Sequence, residues 1–444
     1  MMDLHRYREI EFSTPENIKR IQEIRFQEHL AYCGKYSPYY HRMLKNAGVD
    51  CGNVNLDQLP KLPFTEKADI ERYNDDFCAV PPAKIVDVVL SSGTTGSPTK
   101  MMYTDYDLKR LGYNEELSFA GCGISSDDVV LLTCTMDRCF IAGLAYFLGI
   151  RSLGATAVRN GHNSLEGHLE IIKQMDPTVL VGVPTFLRKL GLYLQEKGVD
   201  PNKTTVSRLV CIGEPLRGEN LELLKIGDDL QSIWQAQVFS TYASSEIVTT
   251  FCECNAQQGG HLHPDLAILE IVDEKGISLS PGKPGEVVVT PMAVEGMPLV
   301  RFKTGDVSFL IDKPCSCGRF SPRLGPILGR KKQMMKFRGT TLYPQTIYTT
   351  LEEIDIISEY YVMVSKESDL SDDITVYVSL SNTSYTADMI QDKLQARLRV
   401  KPTVLIEGEE TIRQKIYTPE TRKAVRFVDA RGLTPVAYNI SSES

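Results

Sequence analysis

No apolar run in this 444-residue chain reaches the ~20 residues that a membrane-spanning helix needs; the longest is Cys139 to Ile150. The stretch Met1-Met2-Asp3-Leu4-His5-Arg6-Tyr7-Arg8-Glu9 also lacks the apolar centre of a secretion signal. Positive charge is in short supply: 49 Lys and Arg face 57 Asp and Glu, a net −8. That argues against a broad nucleic-acid or membrane-headgroup surface, so any anion site has to be local. Eleven cysteines, an odd number scattered along a long chain, do not make a disulfide framework and predict a reducing, cytoplasmic setting. Internal repeats, low-complexity tracts and a Gly-Lys-Ser/Thr phosphate loop are missing as well. The remainder, 42% apolar and 24% charged, is globular in composition and long enough for one large domain and a smaller one.

One polar stretch organises the rest: Ser91-Ser92-Gly93-Thr94-Thr95-Gly96-Ser97-Pro98-Thr99-Lys100. It follows the β-branched run Ile85-Val86-Asp87-Val88-Val89-Leu90, which reads as a buried strand. Its glycines let successive N–H groups point into one concavity, its hydroxyls add donors, and Lys100 adds a point charge. That is the chemistry of a phosphate cradle. A plain strand-to-helix connector has the same composition, and the residues alone leave both readings open.

Along the chain, Pro15 to Ala47 reads as helical with a break at Ser37-Pro38, and Thr65 as the cap of a short helix from Glu66. Strand-like and helix-like segments then alternate. Val129–Leu132, Ala155–Val158, Val179–Val183, Arg208–Ile212 and Gln237–Thr241 are strands; Phe140–Leu148, Leu165–Met175 and Phe186–Leu194 are helices. This alternation predicts a parallel α/β sheet. From Leu266 the pattern changes to short strands with tight turns, Leu266–Val272 and Glu286–Thr290, which predicts a small antiparallel module. The last hundred or so residues read as a compact α+β unit, with strands Tyr360–Val364 and Ile374–Val378 and a helix Ala387–Leu398. The boundary falls at Lys331 and Lys332, giving domains 1–330 and 331–444.

Two carboxylates sit at informative places. Glu246 follows the strand-like Gln237–Thr241, at the edge where open α/β sheets bind ligands, and could hold a Mg²⁺ that bridges phosphates. A helix-start carboxylate is the alternative. Asp306, after Thr304-Gly305, could accept both hydroxyls of a ribose, or could belong to an everyday turn. The cysteines suggest a second site. Cys315-Ser316-Cys317-Gly318 is too tight for an unstrained disulfide but suits one metal ion. Cys254 and His261 upstream would complete a Cys₃His set for structural Zn²⁺, with Cys252 and His263 as spares and free buried thiols as the alternative.

In this order, Ser91–Lys100, Gly213-Glu214-Pro215, Tyr242-Ala243-Ser244-Ser245-Glu246, Thr304-Gly305-Asp306 and Gly329-Arg330 resemble the adenylate-forming superfamily. Leu62-Pro63-Phe64-Thr65-Glu66-Lys67, and Tyr343-Pro344 after Arg338-Gly339, resemble its phenylacetate–CoA ligase family, which includes coenzyme F390 synthetase-like proteins. The likeness runs from Ser37 to Arg431, nearly the whole chain. It implies an α/β fold: a large N-terminal domain with parallel sheets and a small β module, then a smaller, mobile α+β C-terminal domain hinged at Lys332. It also implies a two-step reaction. A small carboxylic acid, aromatic or related, such as phenylacetate, attacks the α-phosphate of ATP, and CoA then displaces AMP. Ser91, Ser92, Gly93, Thr94, Thr95, Gly96 and Lys100 would grip the leaving pyrophosphate, and Glu246 would bind Mg²⁺. Gly213, Glu214, Pro215 and Tyr242 would flank the adenine, Thr241, Ala243, Ser244 and Ser245 would belong to the same nucleotide site, Asp306 would hold the ribose, and Arg330 would lie by the ribose or α-phosphate.

The C-terminal lysine that contacts the α-phosphate oxygen is matched by Lys423, although Arg422 stands where the family has Gly, and Lys415 competes for the role. Lys332 is basic where the hinge is commonly acidic. The acyl pocket would draw on Thr135–Gly143 and Val183–Phe186, and the charged pair Asp137-Arg138 replaces residues expected to stack on a ring. Two alternatives stay open: transfer of AMP to another acceptor, and nucleotide binding without catalysis. No nucleic-acid or membrane partner is expected, and a homodimer is an open assembly.

Overall fold

The computed structural model describes residues 4–50, 54–91, 99–337, 340–368, 371–417 and 424–431. The chain divides into two units, Met1–Ile327 and Leu328–Ser444. Among the described residues no helix is long and apolar enough to cross a membrane.

Among the described residues the first unit carries fourteen strands: β1 Ile85–Leu90, β2 Lys100–Thr104, β3 Val129–Leu132, β4 Thr156–Arg159, β5 Val179–Gly182, β6 Arg208–Ile212, β7 Gln237–Ser244, β8 Thr249–Glu253, β9 Gly260–His261, β10 Ala267–Val272, β11 Gly285–Pro291, β12 Phe302–Ser308, β13 Leu310–Ile311 and β14 Arg323–Leu324. Nine of them form one sheet in the order β13-β14-β9-β8-β7-β6-β5-β3-β4. Strands β4, β3, β5, β6 and β7 run parallel, and β8 turns antiparallel to β7.

The parallel strands are apolar at nearly every position because both faces are covered. Leu131, Leu180 and Leu209 point to one side, where they pack with Leu187, Leu190 and Leu230. Val130, Leu132, Val179, Val181 and Val210 point to the other, against Tyr146 and Ile150. Adjacent residues therefore feed different cores, as a period of two requires. The one tryptophan, Trp234, is buried in the first of these cores and its indole N–H donates to Leu187 O at 3.2 Å. Helix ends follow local chemistry. Ser164 caps Leu165–Met175 by accepting from Gly167 N at 3.0 Å, and Gly154, at φ +81°, ends Ile141–Leu153.

Two expectations change. Ile85–Leu90 is a strand, but one arm of a two-stranded hairpin with β2 and largely exposed rather than buried. Its Val86, Val88 and Leu90 are exposed while Val89 is buried, so β-branched composition gave the strand but not its setting. Thr65 does not cap a helix. It is buried between Tyr40 and the Val300 carbonyl, and Glu66 precedes the helix Lys67–Arg72, its N–H bonded to Asp69.

β10, β11 and β12 make the antiparallel module expected after the parallel sheet. In the second unit, Ser371–Leu380 and Ile357–Ser368 pair antiparallel; Thr403–Ile406 and Phe427–Asp429 add parallel strands outside them. Helices Pro344–Glu352 and Ala387–Leu398 contribute Ile347, Leu351, Ile390 and Leu394 to the core on that sheet.

Candidate active site and metal centre

β6 ends at Ile212 opposite Thr241 of β7, so Gly213–Pro215 and Tyr242–Glu246 leave neighbouring parallel strands side by side. Gly213 turns the chain at φ +73°, a conformation that costs glycine little. The Glu214 carboxylate accepts from Thr185 N at 3.0 Å and Thr185 Oγ1 at 2.9 Å, at the start of helix Pro184–Glu196. A carboxylate there is favoured by the helix dipole. Pro215 follows Glu214 in the chain, and Thr241 lies opposite Ile212, two residues before Glu214.

Tyr242 Oη donates to Asp306 Oδ2 at 2.8 Å. Burial, and then the Asp306 charge, push the Tyr242 phenol well above its ordinary range, so it stays a donor. Asp306 does not sit in an everyday turn. Thr304-Gly305-Asp306 is a bulge inside β12, where the register with β11 shifts and Gly305 takes φ +76°. The bulge brings the carboxylate to Tyr242.

Glu246 lies in the turn between β7 and β8, which is not helical, so the helix-start reading does not hold. It is buried, and Lys67 Nζ stands 3.3 Å from its Oε1. Tyr103 of β2 donates to Ser245 O at 2.9 Å, fixing the same turn from the neighbouring hairpin. Lys100 begins β2 and pairs with Asp75 at 2.9 Å, largely in solvent. Ser91 N donates to Thr99 O at 2.9 Å across the neck of the loop. Ser92, Gly93, Thr94, Thr95, Gly96, Ser97 and Pro98 lie outside the described residues. Nothing in the sequence assigns Lys67 a role; only its distance to Glu246 reveals one, because the two are far apart in the chain.

At the segments expected to line the acyl pocket, Arg138 and Cys139 both adopt positive φ, +59° and +55°. Asp137 and Arg138 approach to 4.0 Å with both side chains mostly exposed. In the second unit, Arg330 is exposed in the short strand Gly329–Arg330, and Lys332 is exposed in the turn Lys331–Gln333 that follows. Lys423 lies outside the described residues. Lys415 Nζ donates to Tyr361 Oη at 2.8 Å and to Glu407 at 3.4 Å, and lies 5.1 and 5.2 Å from the Tyr361 and Tyr377 ring centres.

The ligand atoms of Cys254, His261, Cys315 and Cys317 all lie within 4.8 Å of one another. Cys254 follows β8, His261 is in β9, and the Cys315–Cys317 turn joins β13 to β14. Cys254 Sγ is 3.6 Å from Cys315 Sγ, and Cys317 Sγ is 3.6 Å from His261 Nε2. Burial drives the His261 imidazole down to about 3, so the ring is neutral and can offer a lone pair. Its Nδ1 is 3.1 Å from Ser321 Oγ, which leaves Nε2 toward the sulfurs. Burial raises the Cys317 thiol, but hydrogen bonds, those from Arg319 foremost, outweigh it and hold the thiol below its ordinary range. A neutral imidazole among thiols, one drawn toward thiolate, fits a tetrahedral zinc donor set. The two spares do not join it. Cys252 faces Cys122 at 3.4 Å, and His263 is taken by Glu11 and Ser118.

Comparison with known proteins now fixes the class. The AMP-binding enzyme family matches residues 41–294, and the AMP-binding enzyme C-terminal domain matches residues 339–431. The chain is 33% identical to the phenylacetate-coenzyme A ligase of Thermus thermophilus, over 82% of each chain. It is 26% identical to the Escherichia coli phenylacetate-coenzyme A ligase, over 96% of this chain and 97% of that one. The fold superposes on a 2-hydroxyisobutyryl-CoA ligase with a TM-score of 0.81 at 21% identity, covering 94% of this chain and 90% of the other. The protein is thus an adenylate-forming enzyme, an ATP-dependent, AMP-forming acid–CoA ligase. It belongs to the phenylacetate–CoA ligase family.

Proposed function

We propose that this ligase activates a small aromatic carboxylic acid, phenylacetate being the first candidate, as an acyl-adenylate and passes the acyl group to CoA. The observation that carries the reading is the Tyr242–Asp306 pair beside the buried Glu246–Lys67 pair at the end of a parallel strand, in a chain of this family. In the first step a carboxylate oxygen bonds to the α-phosphorus of ATP and pyrophosphate leaves. In the second the CoA thiolate bonds to the acyl carbon and AMP leaves.

In this reading Tyr242 and Gly213–Pro215 flank the adenine, and Asp306 accepts from the ribose hydroxyls. Glu246 would hold Mg²⁺, which offsets charge developing on the phosphates. The Ser91–Lys100 loop grips pyrophosphate, and Arg330 meets the ribose or α-phosphate. Domains 1–330 and 331–444 would rotate about Lys332 between the two steps. Lys423 is assigned the α-phosphate contact, since Lys415 is engaged by Tyr361 and Glu407. The Cys254, His261, Cys315 and Cys317 set is assigned to structural Zn²⁺ that ties the β8–β9 segment to the β13–β14 turn. One equivalent of zinc in the purified protein, lost with a fall in Tm in Cys315→Ser, is the expected result.

The test of function is exchange of labelled pyrophosphate into ATP that depends on the added acid, followed by thioester formation with CoA. Exchange with phenylacetate or another aromatic acid, and thioester from the same acid, are expected. Exchange without thioester would leave an adenylyl transferase and overturn the CoA assignment; no exchange with any acid would overturn the whole reading.

A further inference from the structure

The residue that links two members of the metal centre, His261 and Cys317, is not one of its four candidate ligands. Glu11 lies on the short N-terminal turn Ile10–Phe12 and is only 1% exposed. Its Oε2 accepts from Arg319 Nε at 3.0 Å. Its Oε1 accepts from His263 Nδ1 at 3.0 Å and from Ser321 Oγ at 3.5 Å. Its backbone carbonyl accepts from Phe320 N at 2.7 Å.

Two of these partners lead directly to a candidate ligand. Ser321 Oγ is 3.1 Å from His261 Nδ1, and Arg319 Nη1 donates to Cys317 Sγ at 3.5 Å. The proton order is consistent: His261 Nδ1–H donates to Ser321, and the Ser321 hydroxyl donates on to Glu11. That order fixes the His261 tautomer with the Nε2 lone pair toward the sulfurs. Outer hydrogen bonds of this kind orient a histidine ligand and tune its basicity. Arg319 meanwhile places its guanidinium between the Glu11 carboxylate and the Cys317 sulfur. A carboxylate buried this fully needs such partners to be tolerated at all.

We propose that Glu11 is a positioning residue for the metal centre, aligning His261 through Ser321 and Cys317 through Arg319, so that zinc and the N-terminal turn hold each other in place. This rests on the zinc assignment above. Within the turn, Phe12 lies against Arg319, whose guanidinium carbon is 4.8 Å from the ring centre, whereas Ile10 packs with Ile18 and Ile21, outside the polar network. That separation supplies the control.

The experiment uses full-length, zinc-loaded wild type, Glu11→Gln and Ile10→Ala, each mixed with an excess of a chromophoric zinc chelator. Glu11→Gln should surrender zinc about tenfold faster or more than wild type, the size typical of losing an outer partner of a ligand. Ile10→Ala should release it at the wild-type rate even if it melts earlier. By reciprocity, stripping zinc from wild type should raise amide hydrogen exchange in peptides covering residues 5–13. Equal release from Glu11→Gln and wild type, or equal acceleration in both variants, would overturn the positioning role while leaving zinc in place. Wild type that neither contains nor takes up zinc would instead overturn the metal assignment, and this inference with it.

Discussion

Tyr242 and Asp306 come from different sheets, one from β7 and the other from the bulge in β12, yet they meet in a 2.8 Å hydrogen bond. The bond engages one carboxylate oxygen, Oδ2, and fixes where the group can present the other. If Asp306 receives the ribose, Asp306→Ala should raise the KM for ATP by about tenfold to a hundredfold, the worth of hydrogen bonds to a charged group. Tyr242→Phe keeps the ring and removes only the donor, so its effect should stay below about tenfold. Initial rates of pyrophosphate exchange against ATP concentration decide this. An unchanged KM in Asp306→Ala would remove the ribose assignment.

The Lys67–Glu246 contact makes a separate prediction. Lys67 is mostly buried and Glu246 almost wholly so, so the ammonium neutralises a carboxylate that has little water around it. A magnesium ion seeking Glu246 has to compete with that ammonium. Lys67→Met should therefore lower the thermal stability of the ligand-free protein, by about 1–3 kcal/mol, because a buried charge loses a partner. Mg²⁺ with ATP should recover more stability in Lys67→Met than in wild type, read as the rise in Tm with added ligand. Equal rises in both proteins would dissociate Glu246 from the metal.

Lys100 is held loosely by comparison. Its ion pair with Asp75 is exposed on both sides, an arrangement that contributes little to stability. It can trade that partner for a phosphate at small cost. Lys100→Ala should leave Tm nearly unchanged and slow acid-dependent pyrophosphate exchange by about tenfold or more, as losing a charged contact to a phosphate does. Thioester formation from a preformed acyl-adenylate should stay near the wild-type rate. Equal loss in both half-reactions would mean the loop does more than hold the leaving group.

How far the sequence reached depended on whether the governing interaction was local. The parallel strands were legible because burial on both faces leaves continuous runs such as Val129–Leu132 and Val179–Gly182. The helix Ala387–Leu398 was legible to the residue, with Thr386 accepting from Met389 N as its cap. Cys254, His261, Cys315 and Cys317 were legible as a donor set because ligand chemistry narrows the choice to a few residue types. Ile85–Leu90 was expected to be buried and is largely exposed, because a β-branched run gives a strand but not what covers its faces. The bulge at Asp306 was missed because Gly-Asp reads the same in a turn and in a bulge. Lys67 stood inside a family motif, but its pairing with Glu246, like the role of Glu11, could not be read, since each acts on residues far along the chain.

Glu115 gives a prediction about pH. It lies within helix Asp105–Gly121, packed so tightly against helix Ile141–Leu153 that a Cβ added at Gly149 would collide with the Glu115 Cβ. Burial raises its carboxyl to about 7, against smaller opposing effects from Thr250, His263 and Asn114. An acid whose folded value is raised keeps a proton that the unfolded chain gives up near pH 4.5. Its penalty is therefore absent in more acidic solution, grows as pH climbs toward 7, and is complete above it. The full penalty is on the order of 3 kcal/mol, from about 1.4 kcal/mol per pKa unit. Glu115→Gln mimics the protonated side chain, so it should melt close to wild type near pH 5 and several degrees higher near pH 8. A gain in Tm that is the same at both pH values would show that Glu115 is ionised in the folded protein or that its substitution acts through packing alone.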